Sequence, residues 1–269
     1  MEVKSKVFVV TGGGNGIGRE VVLELLRRGA RVAAADLDQK GLAETAALAG
    51  TGAGALSLHI VNVADRLAVQ ALPGDVLRKH GQVDGLINVA GIVHRFVPLS
   101  ELSLEEIERV VSVNFWGTVY MVKAFLPELL GRPSASLVNV SSMGGLVPSP
   151  GQGAYGASKA AVKLFTETLS AELRGTKIDV TVVFPGGVGT DILGNSGVTL
   201  DTSKLTLPNG KAPKTTSPQD AGRQIVDAVQ SGAFRVLIGA DARGVDRMGR
   251  LFPTRTIGVV ANRVRALVG

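Results

Sequence analysis

The stretch Gln152 to Lys159 carries two side chains spaced for proton transfer. Tyr155 and Lys159 are four residues apart, which on a helix sets them on one face, one turn apart. A free phenol ionises near pH ~10, so it needs a neighbouring cation to serve as a base near neutrality. Lys159 offers that cation. Ser142, thirteen residues before the tyrosine, offers a hydroxyl to hold a substrate oxygen beside the phenol. The same Tyr-x-x-x-Lys spacing also occurs on ordinary exposed helices, so the pair takes its meaning from the elements around it.

Those elements alternate. Lys6 to Val10 is a β-branched and aromatic run that reads as a buried strand and leads into Thr11-Gly12-Gly13-Gly14-Asn15-Gly16-Ile17-Gly18. A helix follows, with Val21, Val22, Leu25 and Leu26 on its apolar side and Gly29 as its stop. Strand, glycine loop and helix in that order aim free backbone N–H groups and a positive helix end at a pyrophosphate. The next strand, Arg31 to Ala35, ends at Asp36, where a dinucleotide fold needs a carboxylate for the ribose hydroxyls. A carboxylate accepts from the 2'-hydroxyl of NAD and repels the 2'-phosphate of NADP. Neither Asn15 nor Leu37 supplies a cation to offset that repulsion, so NAD is expected over NADP. Asp36 is also open to a turn or capping role, and Asp38 is an equally good cap.

Helices at Gln39–Leu48 and Asp65–His80 and strands at Ala55–Val61 and Asp84–Val89 continue the pattern. The last of these runs into Asn88-Val89-Ala90-Gly91, small residues that let a backbone approach a ligand. Ser103 and Glu106 form a capping box opening a long helix that contains Asn114 and runs towards Pro127. Leu137–Val140 is a strand ending at Ser141-Ser142, the Tyr155 helix runs to about Leu173, and strand Asp179–Phe184 precedes Pro185-Gly186. Ser217 caps a further helix with Pro218 in first position, and a last strand lies near Phe234–Ile238. The prediction is an α/β chain with a doubly wound parallel sheet, a Rossmann fold. Residues 1–240 form one catalytic domain with a lid near 192–216, and 241–269 form a basic amphipathic helical extension.

Composition narrows the chemistry. The 269 residues include 35 glycines and no cysteine, which excludes disulfides, thiolate metal sites and a cysteine nucleophile and fits a cytoplasmic setting. Three scattered histidines argue against a metal site. No run is long and apolar enough to span a bilayer, and the start lacks the pattern of a signal peptide. The net charge of +6 has no aromatic stacking platform beside it, so nucleic acid is not expected as a partner.

Together these residues resemble the classical short-chain dehydrogenase/reductase family. Its Thr-Gly-x-x-x-Gly-x-Gly motif is met by Thr11, Gly12, Gly16 and Gly18, and its Asn-Asn-Ala-Gly motif by Asn88, Ala90 and Gly91, with Val89 departing from the second asparagine. The family's catalytic set maps onto Asn114, Ser142, Tyr155 and Lys159. Its Pro-Gly motif maps onto Pro185 and Gly186, with Thr190 beside the nicotinamide carboxamide. The resemblance implies cofactor contacts from Gly12, Asn15, Gly16, Ile17, Gly18, Asp36, Leu37, Asn62, Val63, Asn88, Ala90, Gly91, Tyr155, Lys159, Pro185, Gly186, Val188 and Thr190. Asn62 stands where many relatives carry an aspartate for the adenine amino group, and its side-chain oxygen can still accept. Ser141 and Ser142 compete for one role, and the spacing to Tyr155 together with Gly145 favours Ser142.

The implied reaction moves a hydride between NAD(H) and a secondary alcohol or ketone. Tyr155 is the base in oxidation and the acid in reduction. Lys159 lowers its pKa and grips the nicotinamide ribose, Ser142 polarises the substrate oxygen, and Asn114 holds a relay water. A non-catalytic relative that binds a nucleotide or regulates a partner is the alternative. Substrate walls are expected at His94, Phe96, Met143, Gln152 and Gly187, although His94 also reads as an exposed loop residue. Lys204, Lys211 and Lys214 in the lid fit an anionic substrate or a solvated surface equally. The tail sets six arginines among Met248, Leu251, Phe252, Ile257, Val260, Val264 and Leu267, a pattern for one or two helices around Pro253. Such helices suit packing on the body or a subunit boundary, and also an anionic membrane surface or a lid over a lipid-like substrate. The resemblance further implies a homodimer or homotetramer through the helices carrying Asn114 and Tyr155.

Overall fold

The computed structural model describes residues 1–50, 54–199 and 214–264; Lys204, Lys211 and Leu267, assigned above to lid and tail, lie outside them. Seven parallel strands form one sheet: β1 (Val7–Thr11), β2 (Arg31–Asp36), β3 (Leu56–Ile60), β4 (Gly85–Asn88), β5 (Ala135–Val140), β6 (Ile178–Pro185) and β7 (Arg235–Ile238). Their order is β3-β2-β1-β4-β5-β6-β7, so the winding reverses between β1 and β4, where Thr11 pairs with Asn88. Connections leave to opposite faces there and open a crevice at the carboxyl ends of the strands.

Alternation along each strand feeds two cores. Val7 and Val9 face Val69, Leu72, Phe125 and Leu129, which lie on α3 (Arg66–His80) and α5 (Gly117–Leu130). The lower end of α6 (Gly153–Glu172) joins them through Leu169. Phe8 and Val10 face the other way. They meet Val22 and Leu25 of α1 (Gly16–Arg27), Leu42 of α2 (Gln39–Ala49) and Ile225 and Val229 of α8 (Pro218–Ser231). Each large side chain so withdrawn from water stabilises the fold by about 1.5–3 kcal/mol.

Three boundaries differ from expectation. The long helix after the Ser103–Glu106 capping box is divided into α4 (Leu104–Val111), one wide π turn at Ser112–Trp116, and α5. The extra residue in that turn changes the angular phase, and Asn114 within it is fully buried. Pro127 lies inside α5 instead of ending it. A four-residue α7 (Ile192–Asn195) opens the expected lid, with Asp191 accepting from the Gly194 N–H.

The tail forms α9 (Ala240–Leu251) and α10 (Pro253–Val264). Helix α9 packs on its own chain: Ala242 is fully buried, Asp246 meets Arg235 of β7 at 2.6 Å, and Gly249 lies against Val147. Helix α10 buries Thr256 and leaves Ile257 exposed, as are Leu251 and Phe252 at the junction. Among the described residues, no helix is long and apolar enough to cross a membrane, and no cluster of potential metal ligands occurs.

Candidate active site

A groove of about 590 Å³ follows the crevice, within the roughly 300–1,000 Å³ of typical ligand sites. Of the expected cofactor residues, Gly12, Asn15, Gly16, Ile17, Gly18, Asp36, Leu37, Asn62, Val63, Ala90, Gly91 and Thr190 line it. The glycine loop leaves no room for side chains: a Cβ on Gly18 would stand 2.0 Å from the Gly12 carbonyl oxygen, and one on Gly12 3.0 Å from the Ala90 nitrogen. Gly12 also has φ +71, a conformation costly for other residues. Asn15 precedes α1 without capping it: its amide nitrogen donates to Asp38 Oδ2 at 2.9 Å and its Oδ1 accepts from Arg19 at 3.4 Å. The first N–H groups of α1 therefore face the groove without a side-chain cap, the arrangement that receives a phosphate.

Asp36 closes the β2 end of the groove. Its Oδ2 accepts from the Gly14 N–H at 2.9 Å and its Oδ1 from the Asp38 N–H at 3.0 Å. Asp38, read from sequence only as a cap, is a second carboxylate lining the groove. The nearby Arg19 guanidinium is engaged by the Gly14 carbonyl and Glu44. Asn62 Oδ1 accepts from the Ala64 N–H at 3.0 Å, which leaves one lone pair for another donor.

The remaining expected cofactor residues lie off the groove lining. Asn88 donates to Asn139 Oδ1 at 2.9 Å inside the sheet, and Asn139 donates on to Thr166, so this side chain ties β4 to β5 and α6. Pro185 ends β6, and Gly186 and Val188 follow it in the loop, where Val188 bridges Thr216. Thr190 returns the loop to the groove, and a Cβ on Gly16 would lie 3.2 Å from its methyl.

The catalytic candidates fall in two neighbouring groups, Lys159 and Asn114 behind Gly91 and Ser142 and Tyr155 beside Gly144. Ser142 opens the 3-10 turn Met143–Gly145, accepting from the Gly144 N–H at 3.1 Å, and the turn packs against α6. A Cβ on Gly144 would stand 3.5 Å from the Tyr155 ring and 3.6 Å from Ser142 Oγ, so serine and tyrosine flank one small space. Ser141 points elsewhere, donating to the Lys159 carbonyl at 2.7 Å, which assigns the two serines different places. Burial pushes the Tyr155 phenol above its ordinary value, and the neighbouring Ser142 hydroxyl pulls it back. Lys159 is buried, which lowers its ammonium to about 8. Its Nζ donates to the Val140 carbonyl at 3.1 Å, which gives the buried ammonium an acceptor at the end of β5. Gly91 permits this approach: a Cβ there would stand 3.0 Å from Lys159 Nζ and 3.2 Å from Asn114 Oδ1.

Asn114 is fully engaged as a donor. Its amide gives one proton to the Ile92 carbonyl and one to Ser158 Oγ, both at 3.0 Å, while its Oδ1 accepts from the Ile92 N–H at 2.8 Å. It fastens the loop after β4 to α6.

The expected substrate residues divide into three groups. His94 is buried, not an exposed loop residue, because the Gln152 amide holds its carbonyl at 3.2 Å and its Nδ1 donates to the Arg95 carbonyl at 2.6 Å. With Val97, Pro98 and Pro150 it lines a second cavity of about 330 Å³ beside the start of α6. Phe96 and Met143 are half-buried at separate loops. Gly187 lies on the β6 loop, where Asp241 of α9 accepts its N–H. Sequence reading missed Asp241, Asp38 and Arg109. Arg109 lines the groove from α4, and a charged residue on a helix gives no signal of which cleft it faces until the helices are placed.

Residues 6–200 match the short chain dehydrogenase family. SadH of Mycobacterium tuberculosis is 36% identical over 252 residues, covering 92% of this chain and 91% of its own length. A short chain dehydrogenase/reductase from Burkholderia phymatum, solved in complex with NAD, superposes with a TM-score of 0.84 at 27% identity, covering 93% of this chain and 94% of its own. A short chain dehydrogenase from Burkholderia cenocepacia, solved in complex with NADP, shares the fold with a TM-score of 0.80 at 24% identity over 97% of this chain and 99% of its own. The match spans β1 through β6 with the glycine loop and the Tyr155 helix inside it, and the relatives extend over nearly the whole length, so the chain belongs to the short chain dehydrogenase family of oxidoreductases.

Proposed function

We propose that this enzyme transfers a hydride between NAD(H) and a secondary alcohol or ketone. The observation that carries the reading is the meeting of Ser142 and Tyr155 across one small space, with the Lys159 cation behind Gly91 in the groove wall. Relatives solved with NAD and with NADP support a nicotinamide dinucleotide as the cofactor. The groove residues fit one: backbone N–H groups of α1 for the phosphates, Asp36 for a ribose and Thr190 at the far end. When bound, the nicotinamide supplies the hydride acceptor or donor. The Ser142 hydroxyl holds the substrate oxygen, and Tyr155 removes its proton in oxidation or returns it in reduction. Lys159 presents positive charge to the ribose side of the groove and favours ionisation of the phenol. Asn114 fastens the Ile92 loop to α6 with both amide protons donated, which leaves its acceptor oxygens to hold the relay water.

NAD is favoured over NADP by charge. Asp36 and Asp38 both line the groove, and Arg19 is engaged by Glu44, so a 2'-phosphate would meet two carboxylates. Association of two or more copies through α5 and α6 is supported by exposed Trp116 and Leu164 beside those helices. A monomeric mass in sedimentation would oppose it.

The test is a panel of secondary alcohols, hydroxysteroids, hydroxyacyl thioesters and acyloins with NAD and with NADP, followed by absorbance of the reduced nicotinamide. NAD-linked turnover is expected, and Tyr155→Phe should lower it by about 10²–10⁴-fold. Unchanged turnover in Tyr155→Phe would sink the mechanism. Dinucleotide binding without turnover across the panel would favour a non-catalytic nucleotide-binding role.

A further inference from the structure

The loop after β6 is tied down by a residue outside the family match. Asp241, in the first turn of α9, accepts the Gly187 N–H on its Oδ2 at 2.6 Å. The exposed carboxylate lies against two glycines: a Cβ on Gly186 would stand 2.1 Å from Asp241 Oδ1, and one on Gly239 2.4 Å from the same atom. Gly186 is thus constrained by a partner in the tail as well as by its place at the strand end. Around it, the Gly186 N–H donates to the Ile238 carbonyl at 2.8 Å, the Gly187 carbonyl accepts from the Thr216 N–H at 2.8 Å, and the Gly189 N–H donates to the Thr216 carbonyl at 3.0 Å. Asp241 provides the single side-chain bond in this set, and a carboxylate acceptor makes it a charge-assisted one.

The loop so held leads directly to Thr190, which closes against Gly16 at the groove. The far end of α9 is also fixed. Asp246 binds Arg235, which stacks its guanidinium over Phe184 of β6 at 4.4 Å, and Gly249 lies against Val147 in the segment after Ser142. One helix therefore touches both the loop that carries Thr190 and the segment that follows the catalytic serine.

We propose that α9 is a strut of the active site and that Asp241 is a positioning residue for the nicotinamide half of the cofactor, acting through the Gly187 N–H. This rests on the dinucleotide reading above and adds to it a part for the tail. Removing the carboxylate frees the Gly187 N–H and loosens the path to Thr190. The glycine loop and Asp36, which hold the adenosine diphosphate half, are formed by other elements and stay intact.

Binding of NAD and of ADP-ribose, which lacks the nicotinamide, distinguishes the two halves. Calorimetric titration of the full-length chain should show Asp241→Ala binding NAD about five- to tenfold more weakly, with ADP-ribose changed by less than about twofold. Asp241→Asn retains an acceptor oxygen and should restore NAD binding to near the wild-type level. If the alanine variant does not fold, Asp241→Ser, too short to reach Gly187, should give the same selective loss. Equal weakening of both ligands, or unchanged NAD binding, would overturn the proposal. A wild-type chain that bound neither ligand would overturn the dinucleotide reading and this inference with it, whereas binding of both with no selective loss would overturn the inference alone.

Discussion

Lys159 should make the fold less stable at neutral pH, and its replacement measures by how much. Burial lowers its ammonium from the ordinary 10.5 to about 8. At ~1.4 kcal/mol per pH unit, that gap corresponds to about 3 kcal/mol. Below about pH 8 folded and unfolded chains are both protonated at this side chain, and the folded chain carries the whole cost of a buried cation. Between about 8 and 10.5 the folded state releases its proton first, the unfolded state binds more, and stability rises with pH. Above 10.5 the cost is gone. Lys159→Met keeps the length of the side chain and removes the charge. It also removes the bond to the Val140 carbonyl, a loss of about 1 kcal/mol. The net expectation is a variant about 2 kcal/mol more stable than wild type at pH 7 and no more stable above the ordinary lysine value. Urea unfolding of both proteins across this range reads the difference, and turnover should collapse in the same variant. A methionine variant less stable than wild type at pH 7, or a gap that does not change with pH, would refute the reasoning. A residue that destabilises the fold while being needed for turnover is the signature of a functional group, not of a structural helix pair.

Two further outcomes follow from the same geometry. Ser142→Ala removes the hydroxyl that pulls the Tyr155 phenol down. The acidic limb of kcat/KM for alcohol oxidation, which reports the base, should therefore move to higher pH while the rate falls about 10²-fold, and an unmoved limb would separate serine from tyrosine. Gly18→Ala places a methyl 2.0 Å from the Gly12 carbonyl and forces the loop to shift. Dinucleotide affinity measured by fluorescence should fall at least about tenfold, and an unchanged value would mean the loop does not hold the phosphates.

Periodicity made most of the architecture readable. Continuous apolar runs such as Val7–Val10 and helical stripes such as Val21, Val22 and Leu25 reveal buried elements, and glycine, serine and proline mark the ends. These are local constraints, so β1, α1, the capping box at Ser103 and the cap at Ser217 were readable within a residue or so. The glycine loop was equally plain, since a Cβ on Gly18 or Gly12 would fall 2.0 or 3.0 Å from neighbouring backbone and no side chain fits.

What the order of residues could not decide was direction in space. The chain offers Ser141 and Ser142 side by side; only the packing of α6 on the turn after β5 sends one hydroxyl to the Lys159 carbonyl and leaves the other beside Tyr155. The Tyr155–Lys159 spacing predicts a shared helix face, and only the packing of α6 on β5 supplies the Val140 carbonyl as an acceptor for the buried ammonium. The π turn that carries Asn114 is a change of one residue in helical phase, invisible in an apolar pattern that continues through it. Asp241 stands fifty-four residues beyond Gly187, and that separation carries no signal of contact. The sequence by itself determined the elements and the chemical groups, because propensity and periodicity are local. Only the tertiary structure decided which of those groups meet, because the strand order that folds β6, β7 and α9 together is a long-range property.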